Sequence, residues 1–328
     1  MTSPSPDVLV IGAGISGLST ALVLLGSGLR VAVYAADPPH RTTSAAAGAL
    51  WGVHLVGADD RVGDWAALTL TRFRELAAAP DEASGVREMH GLAAFLSPEP
   101  EVPEFAAGLT GLTRADPAGL PPGYRSGLRY SAPVVAMPVY LDYLMDQVIA
   151  GGGLLHFGRP LRDMADAAAG SPARVLVNCT GIGALTLAPD ADLAPVRGQV
   201  VVVANPGLTE FFVGEREVPD EITYFFPHGA TAVLGGIEQH GNASTEPDPA
   251  LAEHIIKTCV AVEPRLADAA VLAHRVGLRP VRPHVRLEPE PLPDGRHVVH
   301  NYGHGGSGVT LSWGCALAVR DAVAALLG

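Results

Sequence analysis

The apolar positions of this chain fall into two patterns. Short unbroken runs occur at Val8 to Ile11 and at Val175 to Val177, the latter within "ARVLVNCTGIGA". Such runs suit strands buried on both faces of a parallel sheet. From 196 to 284 the pattern becomes alternation in "GQVVVV", "ITYFFPHG" and "TAVLGGIEQ", which predicts an antiparallel sheet. Leu18, Leu22 and Leu25 recur at helical spacing until Gly26 and Gly28, and "MPVYLDYLMDQVIAGGG" reads as an amphipathic helix stopped by glycines. Between about 80 and 135 the sequence is Pro-rich and charge-mixed, with "SPEPEVPEF" and "GLPPGYRSG" reading as loops. A last short strand at Val298 and Val299 feeds a loop carrying Gly303, Gly305, Gly306 and Gly308, then a helix from about Leu311.

The N-terminal run continues into Gly12-Ala-Gly14-Ile-Ser16-Gly17, a helix, and a second strand beginning at Val31 and Val33. This β-turn-helix-β context gives a GxGxxG motif its meaning. Gly12 permits the tight turn, Gly14 lets backbone approach a pyrophosphate, and Gly17 lets the helix pack on the strand. The helix N-terminus turns free N–H groups and a positive dipole end towards the phosphates. Asp37 is the candidate acid for the ribose hydroxyls, standing two residues beyond the usual strand-end position. Next comes "RTTSAAAGALWG", where Thr42, Thr43 and Ser44 could bond a diphosphate or ring edge. The alanines and Gly48 would let a flat ring lie close; a polar loop leading into a helix is the competing reading. The C-terminal glycine loop is a second place for backbone to meet a ligand at a helix start.

Composition narrows the classes. With 48% hydrophobic and 17% charged residues the chain is globular, long enough for two domains or one large one. A formal charge of −12 disfavours nucleic acid and anionic membrane as partners. The stretch from Val8 to Ala36 has Arg30 as its only charge, but its Gly and Ser content and the absence of a basic n-region argue against a span or signal sequence. Three widely spaced cysteines (Cys179, Cys259, Cys315) without CxxC predict reduced thiols and a cytoplasmic setting. His300 and His304 are four apart, yet the surrounding glycines disfavour a helix and no acid or thiol stands nearby, so no metal site is expected. No GxSxG occurs.

An acidic chain that sets four arginines within "HRVGLRPVRPHVRLE" (274–288) invites explanation. Pro280 and Pro283 forbid a helix, so the stretch is predicted extended, with Arg275 and Arg279 on one face and Arg282 and Arg286 on the other. Structural ion pairs are the expectation for Arg275, Arg282 and Arg286.

Taken together, "VIGAGISGLS", "VNCTGIGA", "RGQ" (197–199), "TYFFPHG…LGGIEQ", "GLRPVRPHVRLE" and "HNYGHGGSGVTLSWGCA" resemble the D-amino-acid oxidase family of FAD enzymes, in order and over essentially the whole length. The resemblance implies an α/β fold, a Rossmann-like FAD-binding domain with an interleaved α+β substrate domain on a mostly antiparallel sheet. The FAD domain would comprise 1–50, 136–195 and 285–328, and the substrate domain 51–135 and 196–284. It implies FAD as cofactor, held around Gly12, Gly14, Ser16, Gly17, Asp37, Thr42, Thr43, Gly48, Leu161, Thr180, Gly181, Gly305, Gly306, Gly308 and Thr310. Arg279 matches the arginine that binds substrate carboxylate in a bidentate fork, Tyr224 the tyrosine that bonds the same group, and Gly306 the carbonyl that receives the amine. His54, Arg216 and Ser307 are candidates for the substrate pocket, His54 and Arg216 as a second cation. Two positions depart from the family: Asp220 stands where many members carry a second tyrosine on the lid, here the short acidic "VGEREVPDE", and Ser307 replaces a tyrosine found in some members.

The implied reaction is oxidative deamination of a D-amino acid, by hydride transfer from its α-carbon to flavin N5. The products would be an imino acid, hydrolysed to 2-oxo acid and ammonia, and hydrogen peroxide from dioxygen. Alternatives on the same fold are a glycine, sarcosine or D-aspartate oxidase, or a dehydrogenase passing electrons to a carrier; a non-enzymatic nucleotide sensor is the rival of a different class. The resemblance allows a homodimer.

Overall fold

The computed structural model describes residues 5–79, 83–99, 102 and 104–328. Strand β1 (Val8–Ile11), helix α1 (Ile15–Gly26) and strand β2 (Val31–Tyr34) form the N-terminal unit. They are followed by α2 (Arg61–Ala77), β3 (Val86–Phe95), β4 (Thr110–Arg114), β5 (Ser126–Val135), α3 (Met137–Ala150) and β6 (Leu154–His156). Next come α4 (Met164–Ala169), β7 (Val175–Asn178), α5 (Ala184–Leu187), β8 (Ala194–Ala204), β9 (Phe211–Glu215), β10 (Glu221–His228), β11 (Thr231–Ile237) and β12 (Gln239–His240). Helix α6 (Pro249–Val262), β13 (Val271–Pro291), β14 (His297–His304) and α7 (Gly308–Leu327) complete the chain.

The strands join in the order β4-β5-β3-β9-β10-β11-β8-β13-β14-β7-β1-β2-β6, with β12 pairing β8 from outside that path. The five strands from β14 to β6 are parallel, and the four-residue runs β1, β2 and β7 are wholly buried. Helices α1, α3 and α7 cover one face of this part and α4 the other, so strands apolar on both sides find partners on both. The remaining pairings are antiparallel apart from β3 with β9, and α6 packs on a core of Val201, Val203, Phe225 and Leu234. One strand connects the two parts. β13 pairs with β8 from Val271 to Val281; Val281 also pairs with His304 of β14, and after a register shift that ladder continues from Arg286 to Pro291.

Two local expectations need correcting. The charge-mixed stretch after residue 80 holds three strands, because β3 and β5 pair over ten residues each and polar side chains take their outer positions. "GLPPGYRSG" is a turn leading into β5, while part of "SPEPEVPEF" lies outside the described residues. The C-terminal strand also runs further, through Gly303 to His304, and α7 starts at Gly308. By length and hydropathy α7 could cross a membrane, but it packs against α1 and α2 in the core.

Candidate active site

A cavity of about 740 Å³ crosses the carboxyl ends of the parallel strands and continues over the antiparallel sheet. That position follows from topology, since loops leaving parallel strands diverge at their carboxyl ends. Gly12 and Gly14 line it between β1 and α1. Gly12 has φ +109, and an added Cβ would stand 2.5 Å from the Cys179 carbonyl oxygen, so only glycine fits this turn. Gly14 caps α1, whose first turn contains no acidic residue to compete for an anion. Gly17 lies behind the cavity, where its missing side chain lets α1 close against the Gly12 carbonyl.

Asp37, Leu161, Thr180 and Gly181 line the cavity at the ends of β2 and β7 and on the loop after β6, as do Arg41 and Arg159. The Arg159 guanidinium sits 4.2 Å from the centre of the Tyr34 ring, so two cations join the helix dipole at this end of an acidic chain. Ser16 donates towards the Asn301 carbonyl at 3.3 Å, linking the two glycine loops.

The hydroxyls of 42–44 also serve the protein itself. Ser44 Oγ accepts from Ile15 N at 3.0 Å, Thr42 Oγ1 donates to Pro39 O at 2.6 Å, and Thr43 Oγ1 bridges the Leu278 backbone. All three residues still line the cavity. The flat rings packed against Gly48 are the protein's own: Tyr224 and Phe226 stack at 4.5 Å and 7°, and a Cβ on Gly48 would stand 2.8 Å from Phe226.

At the antiparallel end, Arg279 on β13 and Tyr224 on β10 line the same space. The Arg279 guanidinium lies over Gly198 of β8 and donates through Nη1 to Ile237 O at 3.2 Å. Burial raises the pKa of Tyr224 above its ordinary value although the Arg279 charge pulls the other way, so its hydroxyl keeps its proton. Gly305, Gly306, Gly308 and Thr310 close this end. A side chain on Gly306 would stand 2.7 Å from the His54 ring.

Three expectations fail here. Arg216 lies away from the cavity, pairing with Glu221 at 3.5 Å beside His254 and Lys257 of α6, because the β9–β10 hairpin directs it to the helix-covered face. Ser307 is buried and does not line the cavity; its Oγ accepts from His54 N and donates to His54 O, both at 2.7 Å. Arg275 forms no ion pair among the described residues; it is part-buried and bonds the Ala45 carbonyl at 3.3 Å.

The other two arginines behave as expected. Arg282 pairs with Asp190 (2.9 Å), and Arg286 with Glu288 (2.9 Å) and Glu290 (2.6 Å). His300 and His304 are buried in strand β14, on Asn178 and Asn301 respectively. Sequence reading also passed over Glu238, which lines the cavity with its carboxylate 2.5 Å from His54 Nε2. The signal was available: it is the one charge in the apolar "TAVLGGIEQ".

A glycine-lined helix start, a long cavity along the parallel strand ends and a cation-bearing antiparallel part of the same sheet define a flavin-dependent oxidoreductase of the two-part type. The profile of the family described as FAD dependent oxidoreductase matches residues 7–322, and the chain belongs to that family. It is 48% identical over 320 residues to the D-amino-acid oxidase of Rubrobacter xylanophilus, covering 98% of this chain and 95% of that one. It is 43% identical to the D-amino-acid oxidase of Streptomyces coelicolor, over 94% of each. Among solved structures, glycine oxidase from Bacillus cereus superposes with a TM-score of 0.78 at 19% identity, covering 98% of this chain and 95% of that one, a likeness of fold. The cofactor is FAD, and the cavity fits it: the Gly12 cradle leaves no room for a Cβ, and α1 offers its N-terminus free of acids.

Proposed function

We propose that this chain oxidises D-amino acids to 2-oxo acids, ammonia and hydrogen peroxide. The observation that carries the reading is the convergence of Arg279, Tyr224 and Gly306 at one end of the flavin cavity, in a chain so similar to D-amino-acid oxidases. A guanidinium meets a carboxylate through two parallel charge-assisted bonds, which sets orientation as well as affinity. Arg279 takes this role, its fork steadied by the Ile237 carbonyl. Tyr224, held protonated by burial, donates to the same carboxylate. The Gly306 carbonyl accepts from the substrate amine. With both groups held, one enantiomer can turn its α-hydrogen to the cofactor while its side chain enters the space lined by Val213 and Ile222. Bound FAD supplies the two-electron oxidant, and dioxygen carries those electrons away as peroxide. Water then hydrolyses the released imino acid.

On this reading the FAD domain is 1–50, 136–195 and 285–328, and the end of the β13–β8 pairing at Val281, beyond which β13 pairs with β14, supports that boundary. Three buried free thiols support a cytoplasmic setting. The test is spectroscopic. Mixed anaerobically with D- and L-amino acids, the yellow protein should bleach with D-forms alone, and under air peroxide should form in step with turnover. Bleaching by L-forms, or dye reduction without peroxide, would overturn the proposal.

A further inference from the structure

A second cavity, of about 230 Å³, lies between the β9–β10 hairpin and α6 and shares no lining residue with the first. Helix α6 turns Ala252, Ile255 and Cys259 into the core beneath the sheet. His254, Lys257, Thr258 and Ala261 follow one another at spacings of three and four, so they form a separate stripe along one side of the helix and make one wall of the cavity. Arg216, just beyond the end of β9, supplies the other wall.

The charges here are incompletely matched. Arg216 Nη2 and His254 Nε2 approach the same oxygen of Glu221, at 3.5 and 3.1 Å. The Nε of Arg216 is buried and has no hydrogen-bond partner among the described residues. A guanidinium N–H held away from water without an acceptor costs free energy until one arrives. Lys257 is the only lysine of the chain, and among the described residues it forms no ion pair or hydrogen bond. Two fixed cations therefore face one carboxylate, in a protein whose formal charge is −12. The Thr258 hydroxyl is spent on the Ile255 carbonyl at 2.9 Å, which leaves the two cations to attract a ligand.

We propose that this cavity is a binding site for a phosphate group, free or as a monoester, held between Arg216 of the hairpin and Lys257 of α6. A pocket for a drug-sized molecule measures roughly 300–1,000 Å³, so a smaller cavity suits a single charged group. A phosphate offers three or more strong acceptor oxygens, enough to serve a guanidinium and an ammonium that arrive from different elements. Nε of Arg216 is the donor left for the ligand while Nη2 stays with Glu221. The site is independent of the D-amino-acid reading, and the two can fail separately.

The test uses the holoenzyme with inorganic phosphate and with methyl phosphate, against chloride at equal ionic strength. Saturating phosphate should raise the melting temperature by at least about 2 °C over chloride. That rise should vanish in Lys257→Ala and Arg216→Ala and persist in Arg279→Ala. A second readout exploits the single lysine: acetylation of Lys257 by an N-hydroxysuccinimide ester, followed by peptide mass, should slow at least about fivefold with phosphate and be unprotected in Arg216→Ala. Wild-type protection needs no variant to fold. Stronger protection by methyl phosphate identifies a monoester as the ligand, and stronger protection by phosphate the free ion. Lysine acetylation equally fast in phosphate, methyl phosphate and chloride overturns the site. So does a stabilisation lost in Arg279→Ala but kept in Lys257→Ala, which would put the phosphate in the first cavity.

Discussion

Substituting Gly198 with alanine tests the placement of Arg279 without touching its charge. Gly198 is buried on β8, paired with Gly277 of β13, and makes no contact through a side chain of its own. A Cβ built there stands 2.6 Å from Nη1 and Nη2 of Arg279 and 2.7 Å from Cζ. Ordinary contact begins near 3.4 Å, so the guanidinium must move by at least about 0.8 Å. It can do so, because it is the far end of a flexible side chain, and the sheet should survive. What suffers is the fork, which must meet two carboxylate oxygens at once. A misplacement of this size near a reacting centre costs up to ~10²-fold, or about 2.7 kcal/mol of transition-state stabilisation. The expected result for Gly198→Ala is a ~10- to 100-fold lower kcat/KM with a neutral D-amino acid, at unchanged flavin content and near-wild-type melting temperature. Arg279→Ala sets the floor, at least ~10²-fold down from loss of charged hydrogen bonds. Wild-type kcat/KM in a folded, flavin-loaded Gly198→Ala would refute the reasoning, since it would mean that Arg279 does not orient the substrate.

Two further outcomes follow from buried groups. Gly12→Ala places a side chain at φ +109 against the Cys179 carbonyl, and should cost more than about 2 kcal/mol of stability and abolish flavin retention, measured by denaturant midpoint and by absorbance after gel filtration. Burial pulls the pKa of His304 down to about 4, and His228 likewise to about 4, against ~6.5 in the unfolded chain. The unfolded state therefore binds more protons between these values, so stability is full above pH ~6.5 and falls as the pH drops towards ~4. His304 alone should account for about 2 kcal/mol by pH 5, read as a lower urea midpoint at pH 5 than at 7.5; an unchanged midpoint contradicts the burial argument.

The sequence by itself determined the parts governed by local rules. The turn at Gly12, the strand at Val8–Ile11 and the helix after Gly14 follow from steric freedom and apolar spacing within thirty residues. Two prolines were enough to show that Arg275 to Arg286 run extended. Alternation also identified the antiparallel strands after residue 196, though not those after residue 80, where pairing of β3 with β5 outweighs a charge-mixed sequence.

Tertiary structure decided which charged groups meet. Arg216 and Glu238 looked alike on paper, each a charge near a glycine-bearing strand, but the β9–β10 hairpin directs Arg216 to the α6 face while Glu238 turns into the cavity and engages His54, 184 positions away in the chain. The same holds for Gly198, whose importance lies in the guanidinium that rests on it from β13. The physical reason is one of range. Backbone conformation is set by neighbours in sequence, whereas the field and shape of a site are set by groups that only chain folding brings within a few ångströms.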